Sequence, residues 1–176
     1  SVPSGNCYKV RLLLTQLGIP FERQELSVSD RTNRPAVLGG LNPALRVPTI
    51  VLDDGRSLAE SNAILWYFGD GTKYVPTDRF ERAQVLQWQF FEQYDHEPNI
   101  AVARFWLHYK GGEIDRAALA ERQKSGYRAL DAMEKHLAGR EFLLDDTNRI
   151  AVTWELFRGD SLTHVTYGVL DWEPDA

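Results

Sequence analysis

Apolar residues recur in short runs and alternations up to Pro76, and at helical spacing beyond it. Val10, Leu12, Leu13 and Leu14 follow the polar turn Ser4-Gly5-Asn6 and predict a helix ending near Gly18-Ile19-Pro20. Residues 21–27 read as a strand, and 32–41 as a short irregular helix closing at Asn42-Pro43. Residues 47–52 predict a strand, Asp54-Gly55 a turn, and 56–58 a second short strand. A helix then opens at Glu60-Ser61, runs through Leu65-Trp66-Tyr67 and stops near Gly69-Asp70-Gly71. A linker ends at Pro76-Thr77-Asp78. Residues 78 to about 110 carry Phe80, Val85, Trp88 and Phe91 at helical spacing, with a kink or interruption at Pro98. Gly111-Gly112 breaks that pattern, and 115–137 predict another amphipathic helix through Leu119, Tyr127, Leu130 and Met133. The chain therefore reads as an α/β domain over residues 1–71 followed by an all-α helical domain over 78–176.

The hydrophobic share of 43% is enough for a packed core and excludes a disordered class. A net charge of −5 gives no reason to expect nucleic acid or an anionic membrane as partner. The single cysteine excludes an internal disulfide framework, and neither a signal peptide nor a bilayer-spanning run is evident. His96, His108, His136 and His164 lack metal-ligand spacing, so no metal is expected. Phosphate-binding glycine loops and a serine-hydrolase elbow are missing as well.

Two places carry candidate chemistry. Pro48 cannot donate to a sheet ladder, and the backbone of Val47 beside it is suited to pair with an extended ligand. The helix start at Glu60-Ser61 offers N–H groups and a partial positive charge, which suit a carboxylate. At the other place, Ser4-x-x-Cys7 occupies the turn before a helix where redox proteins place Cys-x-x-Cys. With the first sulfur replaced by a hydroxyl, no disulfide can form within the motif. Ser4 or Asn6 also suits a helix cap, and Cys7 a small core residue.

Val47-Pro48 followed by the hairpin and Glu60-Ser61 resembles the glutathione-binding half of the thioredoxin-like domain in cytosolic bacterial glutathione transferases. The N-terminal Ser-x-Asn-Cys-x-Lys-Val-Arg turn is similar to theirs too. The resemblance implies a cis Pro48 and a glutathione co-substrate whose cysteinyl part pairs with Val47. It also implies that Glu60 and Ser61 hold the γ-glutamyl group, while Arg46 reaches the glycyl carboxylate. Ser4 would stabilise the glutathione thiolate, with Asn6 and Cys7 as alternatives. A small electrophile would be the second substrate, with Phe90, Tyr94, Trp106 and Tyr109 as candidates for its pocket, although an aromatic stripe at helical spacing is more often core. A homodimer in the cytoplasm is implied as well.

The chain departs from the family pattern at both ends. Relatives place a central strand of about half a dozen residues before the serine turn, where this chain shows only Ser1-Val2-Pro3. The strand at 21–27 is thus expected to lack its partner. After Phe142-Leu143 relatives carry a Ser/Thr-x-x-Asp turn, whereas Thr147-Asn148-Arg149-Ile150-Ala151-Val152 places valine at the capping acid. Residues 152–176 match nothing of the family, so an atypical, truncated C-terminal end is expected. Two other functions fit the same residues: a glutathione-dependent disulfide reductase or peroxidase relying on Asn6 or Cys7, and a non-catalytic interaction module.

Overall fold

The computed structural model describes residues 3–110, 112–140 and 142–144, together with the backbone of 152–158 and 161–167. They form two compact units, 1–72 and 73–176. The turn expected at 147–151 and the tail 168–176 lie outside the described residues, as do Ser1 and Val2.

In the first unit, helix α1 spans Gly5–Gln16. Ser4 starts it: its backbone is extended and its Oγ accepts from the Cys7 N–H at 3.2 Å. The end is equally local. Gly18 has φ 66°, and this lets the Gly18 N–H reach the Thr15 carbonyl and the Ile19 N–H reach the Leu14 carbonyl, at 3.0 and 2.9 Å. That pair of bonds satisfies carbonyls the last turn would otherwise leave open. Cys7, Val10, Leu13 and Leu14 are buried along α1, and helix α3 (Ser61–Gly69) packs against it through Ile64 and Leu65. Helix α2 is a short piece, Arg34–Leu38, inside the longer irregular segment expected at 32–41.

The sheet is smaller than expected. Strand β1 (Thr49–Val51) pairs antiparallel with β2 (Ser57–Ala59), with Ile50 opposite Leu58. Asp54-Gly55 makes the turn, with Gly55 at φ 85°, and Asp54 binds both the Arg56 amide and its guanidinium. Those two bonds to Arg56 hold the Asp54 carboxyl below its usual range. Residues 21–27 form no strand, which corrects the expectation from the sequence. A cavity of about 820 Å³ lies between this segment and residues 47–53, floored by Val10, Leu14 and Leu38. The two stretches therefore do not meet as ladder neighbours, and a strand requires a neighbour to bond to.

In the second unit, Asp78 caps α4 (Arg79–Phe91) by accepting from the Phe80 and Glu81 amides at 2.8 and 3.0 Å. Val85 and Trp88 are buried as the spacing predicts, but Phe80, in the first turn, is 70% exposed. Pro98 does not break the long helix. The chain widens instead into a π-helix, Glu92–Ala101, and resumes as α5 (Val102–His108). The looser turn accommodates a residue with no N–H, and the Pro98 carbonyl is taken up by the Arg122 guanidinium of α6 (Arg116–Leu137). Asp115 caps α6 through the Ala118 amide. Leu119 and Met133 of α6 are buried, whereas Tyr127 is 65% exposed. Beyond it, β3 (Val152–Arg158) and β4 (Ser161–Tyr167) form an antiparallel hairpin, so this unit is not purely helical.

Gly126 sits where α6 crosses the π-helix, and a Cβ there would lie 2.8 Å from Ile100 Cγ1. Gly126→Ala is expected to lower unfolding free energy by about 1–3 kcal/mol through overpacking, despite alanine's better helix propensity, as measured by urea denaturation.

Candidate functional site

The hydrogen bonds at the site start from two helix N-termini. Ser4, Gly5 and Asn6 open α1, and Glu60 and Ser61 open α3. Ser61 Oγ donates to Asn6 Oδ1 at 3.1 Å, so the two helix starts are tied side chain to side chain. One turn further along α1, the Lys9 ammonium donates to Asn62 Oδ1 at 2.7 Å. Both helix starts present N–H groups that suit negative charge.

Glu60 has φ 65° and ψ 113°, a conformation that L residues with a side chain rarely hold. The Ile64 N–H donates to its carbonyl at 3.0 Å and fixes it as the N-cap position, while its side chain is exposed and makes no capping bond. Ser61, the next residue, is buried.

The third part is the loop before β1. The Val47-Pro48 peptide bond is cis. Val47 and Pro48 are half-buried and Arg46 is exposed. Three side chains hold this loop. Arg34, buried, donates to the Leu45 carbonyl at 3.0 Å and the Ser27 carbonyl at 2.8 Å. Asn42 Nδ2 donates to the Arg46 carbonyl and to Thr49 Oγ1, both at 3.1 Å, and Thr49 Oγ1 donates to the Arg46 carbonyl at 2.9 Å. Burial first, and the nearby Arg31 charge second, pull the Arg34 pKa down from the usual guanidinium value.

Asn6 and Ser61 are thus brought together, with Ser4 two residues before Asn6 at the head of the same helix. Cys7 faces elsewhere: it is buried, and with Val47 and Pro48 it lines the cavity beside residues 19–26. Ser4, Asn6, Arg46, Glu60 and Ser61 are not part of that cavity's lining. Of the aromatic candidates, Phe90 and Tyr94 are exposed and Trp106 and Tyr109 half-buried. Trp106 lies under the Arg122 guanidinium and the Lys110 ammonium, at 4.7 and 4.9 Å from the ring centre.

Arg34, Asn42, Lys9 and Asn62 were not among the expected site residues. Asn42-Pro43 marks a helix end in the sequence, and the asparagine side chain at such a place commonly binds nearby backbone. Nothing in the sequence pairs Lys9 with a residue 53 positions away. Among the described residues no group of three or more His, Cys, Asp or Glu side chains is placed to hold a metal ion. No helix among them is long and apolar enough to cross a membrane.

Two helix starts joined by the Ser61–Asn6 hydrogen bond, in one unit with a cis-proline loop, have the make-up of a thioredoxin-like domain. The sequence profile of the glutathione S-transferase N-terminal domain matches residues 3–70. The glutathione S-transferase of Pseudomonas fluorescens Pf-5 superposes with a TM-score of 0.76 at 46% identity, over 82% of this chain and 73% of that one. The chain belongs to the glutathione S-transferase family. The glutathione transferase URE2P6 of Phanerochaete chrysosporium, solved in complex with oxidized glutathione, is 26% identical with a TM-score of 0.70, over 81% of this chain and 68% of that one. Elongation factor 1-gamma of Artemia salina is 26% identical over 93% of this chain, which spans only 37% of that longer protein.

The strained backbone at Glu60 has a measurable signature. Glu60→Gly is expected to raise unfolding free energy by about 1 kcal/mol, because glycine tolerates positive φ. Glu60→Ala keeps the strain and should leave stability unchanged, so thermal melts of the two variants separate backbone from side chain.

Proposed function

We propose that the protein is a glutathione transferase: it binds glutathione across the two helix starts and directs its thiolate at an electrophilic carbon. The observation that carries this reading is the Ser61–Asn6 hydrogen bond, which sets an acid-binding helix start beside a helix start headed by a serine hydroxyl. Val47 pairs with the cysteinyl backbone of the tripeptide, Pro48 shapes the loop, and Arg46 meets the glycyl carboxylate. Glu60 and the Ser61 N–H hold the γ-glutamyl group, the backbone amide binding its carboxylate.

In this reading Ser4 Oγ does two jobs at once, since a hydroxyl accepts and donates. It accepts from the Cys7 amide, as observed, and donates its proton to the ligand sulfur. A hydrogen bond to the charged form lowers a thiol's pKa, and the positive end of α1 acts in the same direction. The thiolate forms a new S–C bond, and the leaving group departs with the electron pair of the bond that breaks. Asn6 orients Ser61, and Cys7 packs behind the turn. Family resemblance further supports a cytoplasmic homodimer that detoxifies electrophiles.

A glutathione-dependent disulfide reductase is the second reading. It is favoured by one relative's complex with oxidized glutathione and by the placement of Asn6 at the joint between the helices.

Ser4→Ala is expected to lower kcat for conjugation of a chlorinated aromatic by about ten- to a hundredfold, the worth of one hydrogen bond to a charged group. Glutathione affinity by calorimetry should hardly change, and the pH profile of kcat/KM should move upward as the thiol pKa rises. Full turnover in this variant would remove Ser4 from the reaction, and preserved disulfide turnover with no conjugation in the parent protein would favour the reductase.

A further inference from the structure

Lys9 is 1% exposed and is among the largest fully buried side chains of the protein. Placing an ammonium in such a position costs several kcal/mol before its bonds are counted, and a methionine or leucine would fill the space between two helices without that penalty. Its ammonium bonds Asn62 Oδ1 at 2.7 Å. Asn6 and Lys9 lie three positions apart on one face of α1, about 4.5 Å along its axis. Their partners, Ser61 and Asn62, are consecutive residues at the start of α3. A single hydrogen bond between two helix starts is a pivot, about which α3 can turn. Two bonds at different heights along α1 define the angle as well as the distance.

We propose that Lys9 is a positioning residue for the γ-glutamyl site: through Asn62 it sets the orientation of the first turn of α3, and so the direction of the Ser61 N–H and the Glu60 carboxylate relative to Ser4. The inference rests on the glutathione-binding reading above. It assigns no contact between Lys9 and the ligand. Misplacing a binding group by about 1 Å is enough to lose up to a hundredfold in a positioned reaction, so a second anchor is chemically worthwhile.

The test uses the full chain with Lys9→Met, Asn62→Ala and the double variant, checked for folding by circular dichroism. Glutathione and cysteinylglycine, which lacks the γ-glutamyl group, are titrated by calorimetry or by competition. Glutathione affinity should fall about tenfold in each single variant, near 1.4 kcal/mol, and no further in the double. Cysteinylglycine affinity should stay as in the parent. Equal losses for both ligands would mean that Lys9 merely supports the fold, and unchanged glutathione affinity would overturn the proposal. If Lys9→Met does not fold, Asn62→Ala decides by the same two ligands. A parent protein that fails to bind glutathione defeats the underlying reading and this inference with it, whereas a binding parent with unaffected variants defeats this inference alone.

Discussion

The packing of α1 against α3 is the constraint on which the first unit depends. The interface is apolar along most of its length, through residues such as Val10, Leu13, Ile64 and Leu65. Apolar contacts of this kind are strong but weakly directional, and would tolerate a slide or a twist of one helix on the other. The polar bonds at the helix starts remove that freedom. Asn6 with Ser61 and Lys9 with Asn62 place the two N-termini in a fixed relation, and both N-termini carry the partial positive charge that a peptide acid would seek. The apolar face thus supplies affinity between helices, and the polar end supplies their register.

The same division of labour holds at the cis-proline loop. Its shape is set by side chains that bond backbone carbonyls: Arg34 to Leu45, and Asn42 and Thr49 to Arg46. Leu45 itself has a positive φ of 53°. A loop with such a residue persists where surrounding bonds outweigh the strain, and here a buried guanidinium and a buried amide provide them. Arg46 is exposed and Val47 and Pro48 half-buried, while Arg34 and Asn42, which hold the loop, are buried.

What could be read from the chain alone was local. Ser4, Asp78 and Asp115 announce helix starts because a cap acts within three residues. Asp54-Gly55 announces the hairpin for the same reason. The motif around Val47-Pro48 and Glu60-Ser61 was legible because its parts belong to one continuous stretch, and the cis bond expected there is present. The strand expected over 21–27 is absent, since a strand depends on a neighbour that local sequence does not identify. Helical spacing placed Phe80 and Tyr127 with the core, yet both face outward near helix surfaces that nothing covers among the described residues. Buried Lys9 and Arg34 were invisible for a further reason: long cationic side chains are usually solvated, and their burial depends on acceptors remote in sequence.

The π-helix between α4 and α5 has a consequence for how this family can vary in length. A π-turn holds one residue more than an α-turn, so the segment 92–101 is a place where the chain has absorbed extra residues without breaking the helix. Losing one of them would let the segment tighten toward an α-helix. Because the wide turn already holds the surplus residue, that tightening would leave the helix from Val102 onward facing nearly the same way. Ala103 and Arg104 would keep their buried places. A deletion here takes up slack, whereas one in the regular helix on either side would turn all that follows by about 100°.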